Sequence, residues 1–140
     1  MQTFLPYKSF VLTARCLDRQ RLGKQRVEAY QILKANIGYP SRWIHHPAVK
    51  MWKGHEGALA IYTLAICREW ISRGYKDTMQ EKTNLLVVEH GIELTSFPEW
   101  LGMEAFHVSH QSNLIRKDPR YFRFQFPGVV NSVEYVWPVK

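Results

Sequence analysis

Apolar residues recur along the first third of the chain at spacings that match one face of a helix. Leu22, Ala29 and Leu33 are separated by seven and four residues, which is close to whole helical turns. The pattern predicts a first helix over about residues 13–36. The letters IGYP that follow place a glycine and a proline where a helix ends. The ten residues before the helix include Pro6 and are expected to be extended.

Four polar residues of this first helix share one face, because they stand at positions i, i+3, i+4 and i+7. They are Arg21, Lys24, Gln25 and Glu28. A solvent-exposed ion pair between Lys24 and Glu28 accounts for part of the stripe. Such a pair stabilises a helix by only about 0.2–0.5 kcal/mol. The segment around the stripe is nevertheless strongly basic, with five basic residues from Arg15 to Arg26 against the single acid Asp18, which indicates a face that meets a polyanion.

A second helix is predicted over about residues 47–73, because Pro47 suits a first helical position and Gly74 suits a stop. Its apolar residues cover more than one face. Leu59 belongs to one apolar stripe and Ile61 to the opposite side. A helix that is apolar on both sides is expected to be central and buried.

Two further helices complete the predicted fold. The letters TMQEKTNLLVVEHG predict a third helix, although LLVV alone is also compatible with a strand. A fourth is predicted from Glu104 to Lys117, ending before Pro119. From Arg120 onward aromatic and basic residues alternate, and two prolines and a glycine argue against a sheet. We therefore predict an all-α fold: a compact single-domain bundle of three to four helices over residues 1–140, with an extended N-terminus and an irregular aromatic tail.

The charge of the chain narrows its possible partners. The 140 residues carry a formal net charge of +7, with 19 Lys and Arg against 12 Asp and Glu. This excess favours nucleic acid over other partners, because no apolar run is long enough to span a bilayer and no terminal polybasic tail is present. The N-terminus does not resemble a secretory signal, so a cytoplasmic protein is expected. Cys16 and Cys67 lack metal spacing and are expected to be buried thiols.

The basic residues form two clusters in the sequence. The first contains five basic residues between Arg15 and Arg26 against the single acid Asp18. The second is the segment RKDPRYFRF, in which basic side chains suit phosphates and aromatic rings suit stacking on unpaired bases, unless the rings simply dock into the core. The residues predicted to contact DNA are Arg15, Arg19, Arg21, Gln25, Arg26, His46, His110, Asn113, Arg116, Lys117, Arg120, Tyr121 and Arg123.

The six histidines do not form a recognisable metal motif. His107 and His110 are spaced i, i+3, but no cysteine or carboxylate stands at a zinc-site spacing beside them. We expect no metal, and the histidines to be either buried and hydrogen-bonded or in contact with DNA, as predicted for His46 and His110. No Walker loop, G-x-S-x-G or H-E-x-x-H motif occurs, which argues against several hydrolase and nucleotide-binding classes.

Three segments together resemble a known family. They are LDRQRLGKQRVE, HPAVKMWKGHEGALAIYTLAICREWISRGY and SHQSNLIRKDPRYFRFQFPG, and they cover most of the chain. In pattern and order they are similar to the pyrimidine-dimer DNA glycosylases, whose type member is the phage endonuclease V. The resemblance implies a monomeric all-α protein that binds damaged duplex DNA. It also implies excision of a damaged pyrimidine and nicking of the strand through a Schiff base, with no cofactor.

The resemblance also suggests which residues act. The essential glutamate of the family matches Glu28. Arg21 stands where the type member has a histidine, and Val27 where it has an arginine. Gly23 would then let a DNA backbone approach closely, or would simply admit a bulky neighbour such as a tryptophan.

The family's nucleophile is an N-terminal amine. At neutral pH about a tenth of a free α-amine is uncharged, against well under a thousandth of an ordinary lysine. We therefore rank the Met1 amine first and Lys24 second, and because residue 2 is glutamine we expect Met1 to be retained.

Two alternatives remain compatible with the sequence. The first is a glycosylase of the same type that removes a different modified or damaged base. The second is a non-catalytic module that binds damaged DNA, which the departures at Arg21 and Val27 would suit.

Overall fold

A computed structural model describes residues 1–94 and 97–139, and every regular element within them is a helix. The predicted all-α fold is confirmed. The chain forms α1 (Phe10–Cys16), α2 (Arg19–Asn36), α3 (Pro47–Lys50), α4 (Glu56–Ser72), α5 (Met79–Glu89), α6 (Glu104–Lys117) and α7 (Pro119–Phe122). Among the described residues no helix is both long and apolar enough to cross a membrane.

The first predicted helix is in fact two helices, so the prediction of one continuous element was wrong. Leu17 has an extended backbone (φ −74°, ψ 141°) and its side chain is fully buried. Asp18 then acts as the N-cap of α2, and its carboxylate accepts a hydrogen bond from the backbone N–H of Arg21 at 3.3 Å. The break occurs because a capping aspartate restarts the helix where the chain must turn to bury Leu17.

The second predicted helix is also interrupted. Pro47 opens α3 at its first position, as expected, but this helix ends after one turn. Gly54 then adopts a left-handed backbone (φ 84°), which ends the helical path before α4 begins. The end of α4 agrees with the prediction to within one residue, because Arg73 is its C-cap and Gly74 follows with φ 92°.

The later elements follow the sequence pattern more closely. The LLVV letters lie within α5 and are helical, and α6 has the predicted bounds. The tail contains one short helix that the pattern did not predict, α7. Its N-cap is Asp118, which accepts a hydrogen bond from the N–H of Tyr121 at 3.3 Å, and Pro119 occupies the first helical position.

The central helix of the fold is α4, as predicted. It packs against α1, α2 and α5, and its residues Leu59, Tyr62 and Ile66 have no solvent exposure. Trp52, just before α4, is also fully buried and packs edge-on against Trp100. Both cysteines are buried free thiols.

Gly23 of α2 lies directly against the side chain of Trp70 from α4. A Cβ atom at this position would lie 2.9 Å from the ring of Trp70. On the same side, the guanidinium of Arg26 lies 4.5 Å from the centre of the Trp70 ring and forms a hydrogen-bonded ion pair with the buried carboxylate of Asp77. The glycine therefore admits a tryptophan, which is the second of the two roles considered for it, and the close approach of a DNA backbone is not needed to explain it.

We predict that Gly23→Ala lowers the free energy of unfolding. Forcing a methyl group against the Trp70 ring costs about 1–3 kcal/mol as overpacking, while alanine gains up to about 1 kcal/mol in helix propensity. The expected net loss is about 1–2 kcal/mol, measured by urea unfolding.

A matched control is Gln31→Ala, which changes an exposed position of the same helix. Its effect should stay within about 0.5 kcal/mol. An unchanged or increased stability of Gly23→Ala would show that Trp70 is free to move away and that the contact does not fix the spacing of α2 and α4.

Candidate active site

The first residues of the chain are buried and held in place by one side chain of α2. The Gln25 carbonyl oxygen accepts a hydrogen bond from the N–H of Phe4 at 2.6 Å, and its amide nitrogen donates to the carbonyl of Gln2 at 2.7 Å. The hydroxyl of Tyr62 lies 2.7 Å from the Phe4 carbonyl and 2.9 Å from Gln25 Oε1. Gln25 is fully buried, so the structure does not place this predicted DNA contact at the surface; it fixes the N-terminal segment instead.

Two histidines of α6 bind the next residue of the same segment. His107 Nδ1 donates to the carbonyl of Leu5 at 2.7 Å, because its Nε2 accepts a hydrogen bond from the N–H of Gly102. His110 Nδ1 accepts from the N–H of Leu5 at 3.1 Å. The i, i+3 spacing therefore allows both histidines to form hydrogen bonds with the backbone of one residue, Leu5. His110 is fully buried, so this second predicted DNA contact also lies in the interior.

Burial sets the protonation of His110. Its pKa is lowered to about 3, chiefly because burial disfavours the charged ring and secondarily because His107 and Lys117 add positive charge nearby. A neutral ring is also what the Leu5 hydrogen bond requires, since only an unprotonated Nδ1 can accept.

The polar face of α2 presents Glu28 and two cations. The Glu28 carboxylate lies 3.9 Å from the Lys24 ammonium; the Glu28 side chain is 17% exposed and that of Lys24 76%. Arg21 is held by carboxylates on two elements, at 3.1 Å from Asp18 and 3.9 Å from Asp118. Glu28 is thus a largely enclosed carboxylate at the edge of a basic surface.

His46 connects this face with the start of the chain. It is the N-cap of α3, and its Nδ1 accepts a hydrogen bond from the N–H of Ala48 at 3.0 Å. Its pKa is lowered, first by burial and then by the positive N-terminal amine, whereas the negative charge of Glu28 raises it. The N-terminal amine and Glu28 therefore both lie within electrostatic range of the same imidazole ring.

The C-terminal tail packs against the two histidines His46 and His110. The ring of Trp137 packs edge-on against His46, and Tyr135 packs against His110. Ser109 and Ser112 of α6 accept hydrogen bonds from the backbone of the tail. The aromatic composition of the tail indicated contact with either DNA or the core, but it did not indicate which rings would border the site.

Asn113 and Arg116 of α6 also hold the C-terminal tail in place. The Asn113 amide and the Arg116 guanidinium both donate to the carbonyl of Val133, at 3.0 and 3.2 Å, and Arg116 also donates to Asn113 Oδ1. Asn113 is buried, whereas Arg116 keeps an exposed surface. Lys117, the next residue, lies with its ammonium 5.0 Å from the centre of the Phe4 ring.

The remaining predicted DNA contacts divide into exposed and enclosed residues. The Arg26 side chain is only 15% exposed and is paired with Asp77, on the side of α2 that packs on Trp70. In contrast, the rest of the set lies at the surface: Arg15, Arg19, Arg120, Tyr121 and Arg123. Of the tail aromatics, Phe122 and Phe126 belong to the core, whereas Phe124 is 78% exposed.

Within residues 1–94 and 97–139, no group of three or more His, Cys, Asp or Glu side chains is arranged to hold a metal ion. The N-terminal amine and Glu28 both act electrostatically on His46, and the Lys24 ammonium lies 3.9 Å from the Glu28 carboxylate. Such a set suits nucleophilic attack by an amine and proton transfer by a carboxylate on an anionic substrate.

A comparison with protein families identifies the family of the chain. Residues 1–83 match the family model described as pyrimidine dimer DNA glycosylase. The chain therefore belongs to the pyrimidine dimer DNA glycosylase family. No curated protein and no solved structure matches the chain significantly. The matched region includes Glu28, His46 and Gln25, but not α6 or the tail.

We predict that His110 makes the fold sensitive to acid. The unfolded chain holds this histidine at a pKa near 6.5 and the folded chain at about 3, so the unfolded chain binds more protons between these values. The free energy of unfolding should therefore fall as the pH falls, by about 2 kcal/mol between pH 7 and pH 5 from this residue.

The test compares urea unfolding at pH 7 and pH 5 for the wild type and His110→Asn. Asparagine retains an acceptor for the Leu5 N–H but does not titrate, so its acid destabilisation should be smaller. His45→Asn, in an exposed loop, should leave the wild-type pH dependence unchanged. If His110→Asn has the wild-type dependence, acid destabilisation arises elsewhere.

Proposed function

We propose that this protein is a DNA glycosylase with associated AP-lyase activity, which excises a damaged pyrimidine from duplex DNA through a Schiff-base intermediate. The observation that carries the proposal is that the N-terminal segment is fixed by Gln25 of α2, the same helix that bears the largely enclosed Glu28. A nucleophilic amine and a carboxylate are the two groups that this reaction needs. Membership of the pyrimidine dimer glycosylase family supports the same substrate class.

In the proposed reaction the Met1 amine attacks the sugar C1′ while the bond from C1′ to the base breaks, and the electron pair leaves with the base. The nitrogen then loses a proton and the sugar ring opens to give an iminium ion. Removal of a C2′ proton expels the 3′ phosphate and nicks the strand, and water finally hydrolyses the imine. Glu28 stabilises the positive charge at C1′ and carries the protons.

The surroundings of the two candidate amines favour Met1 over Lys24. The segment after Met1 is buried and fixed at Gln2, Phe4 and Leu5, so its amine is positioned with little freedom. Lys24 instead extends into solvent with a 76% exposed side chain. Positioning of a nucleophile removes much of the entropic cost of attack.

The exposed basic residues are proposed to hold the DNA backbone, and the exposed rings of the tail to stack on unpaired bases. Arg123 lies over the ring of Phe124, with its guanidinium carbon 4.7 Å from the ring centre, and Tyr121 is also exposed. A ring that already carries a cation on one face offers both phosphate attraction and a stacking surface. Gln25, Arg26 and His110 are proposed to act by positioning the N-terminal segment and α2.

We predict that Glu28→Gln reduces strand cleavage by at least about 100-fold, which is the usual scale for a lost acid–base group. Binding to a duplex with an abasic site should be nearly unchanged, because glutamine has the same shape and removes a negative charge from a basic surface. Cleavage is measured on end-labelled duplex under single-turnover conditions, and binding by fluorescence anisotropy.

Glu89→Gln is the matched control, since Glu89 is an exposed residue at the end of α5. It should cleave at the wild-type rate. An undiminished rate for Glu28→Gln would eliminate the proposed role of Glu28.

The excised base is identified with a panel of duplexes. The panel contains DNA irradiated with ultraviolet light, DNA that contains uracil and alkylated DNA, and the duplex that is nicked reveals the substrate.

We predict that Phe124→Ala weakens binding to damaged duplex DNA without affecting stability. Base stacking on an aromatic ring is worth about 1–3 kcal/mol, or about 5- to 150-fold in affinity. Val88→Ala on α5 is the control, because Val88 is 79% exposed and Phe124 is 78% exposed. Equal affinities of the two variants would mean that Phe124 does not contact the DNA.

A further inference from the structure

We propose that Lys117 is a second amine of this site, able to form a Schiff base with the C1′ aldehyde of an abasic sugar. The inference rests on the proposed function and extends it to a residue outside the region matched by the family model. Lys117 is the last residue of α6 and is exposed, so a DNA strand can reach it.

The position of the Lys117 side chain is the first argument. Its ammonium lies 5.0 Å from the centre of the Phe4 ring and 5.9 Å from that of Tyr135. Phe4 belongs to the segment that Gln25 fixes, three residues beyond Met1. Lys117 therefore lies against the same segment that carries the N-terminal amine, with its head group held between two rings.

The charge around Lys117 is the second argument. Partial burial of the ammonium lowers its pKa, and Arg21, Lys24 and Arg116 lower it further, whereas the negative charge of Glu28 raises it. A lower pKa increases the fraction of neutral amine that can attack.

Lys24 provides the contrast. Its ammonium is also near Glu28, at 3.9 Å, but its side chain is 76% exposed and belongs to an ordinary i, i+4 pair. Lys117 is held more firmly than Lys24, because its ammonium lies near the Phe4 and Tyr135 rings, and a fixed position suits an amine nucleophile.

The proposed step balances without a further reagent. The neutral Lys117 nitrogen forms a bond to the aldehyde carbon, and the aldehyde oxygen takes up the amine proton to give a carbinolamine. A proton from solvent then joins the hydroxyl group, which leaves as water and gives the iminium ion. Elimination of the 3′ phosphate and hydrolysis then release the amine unchanged.

The test is borohydride trapping on a duplex with one abasic site, followed by peptide mapping of the cross-linked protein. Borohydride reduces the iminium ion to a stable amine and so marks the attacking nitrogen. We expect cross-links at two peptides, one containing Met1 and one containing Lys117. Lys117→Arg keeps the positive charge but cannot form the imine, so it should lose only the second cross-link. Lys24→Arg should retain both.

The outcomes separate the inference from the proposed function. A cross-link at Met1 alone leaves the glycosylase and lyase proposal intact and overturns the role of Lys117. A second cross-link at Lys24 instead of Lys117 also overturns it. If the wild type binds the abasic duplex but forms no cross-link at any residue, the Schiff-base mechanism itself fails, and the inference fails with it.

Discussion

The buried amide of Gln25 is the contact on which the candidate site depends. It bonds to the backbone on both sides of Thr3, through the carbonyl of Gln2 and the N–H of Phe4. A segment without regular secondary structure has few other ways to satisfy its buried backbone groups. Tyr62 completes the arrangement by donating toward the Phe4 carbonyl and Gln25. Since the terminal amine lies at the end of this segment, fixing the backbone limits the positions that the amine can take.

The opposite side of α2 determines where Glu28 points. Arg26 pairs with Asp77, whose pKa is lowered: burial raises it, but hydrogen bonds from the N–H groups of Gln80 and Met79 and from Arg26 outweigh that effect. Trp70 packs on Arg26 and on Gly23 from α4. These contacts set the rotation of α2 about its axis. A helix held on one face presents the other face, with Glu28 and Lys24, in a defined direction.

The sequence predicted the parts of the structure that depend on local signals. The bounds of α6 were predictable because its end is marked by Asp118 and Pro119, and the burial of α4 because both of its sides are apolar. The break before α2 was missed because no glycine or proline marks it, and the capping residue Asp18 alone did not outweigh the surrounding helix-forming residues. Periodicity placed Gln25 on a polar face, but it cannot show that the N-terminal segment covers that face. The partner of Arg26 is 51 residues away in sequence, so only the folded chain reveals it.

The account requires that the N-terminal amine and Glu28 both act electrostatically on His46, and an NMR titration of the His46 ring measures this directly. The wild-type ring should titrate below the usual pKa of 6.5. Glu28→Gln should lower the pKa further, because a negative charge is removed, and acetylation of the terminal amine should raise it, because a positive charge is removed. A His46 pKa that responds to neither change would contradict the arrangement of the site.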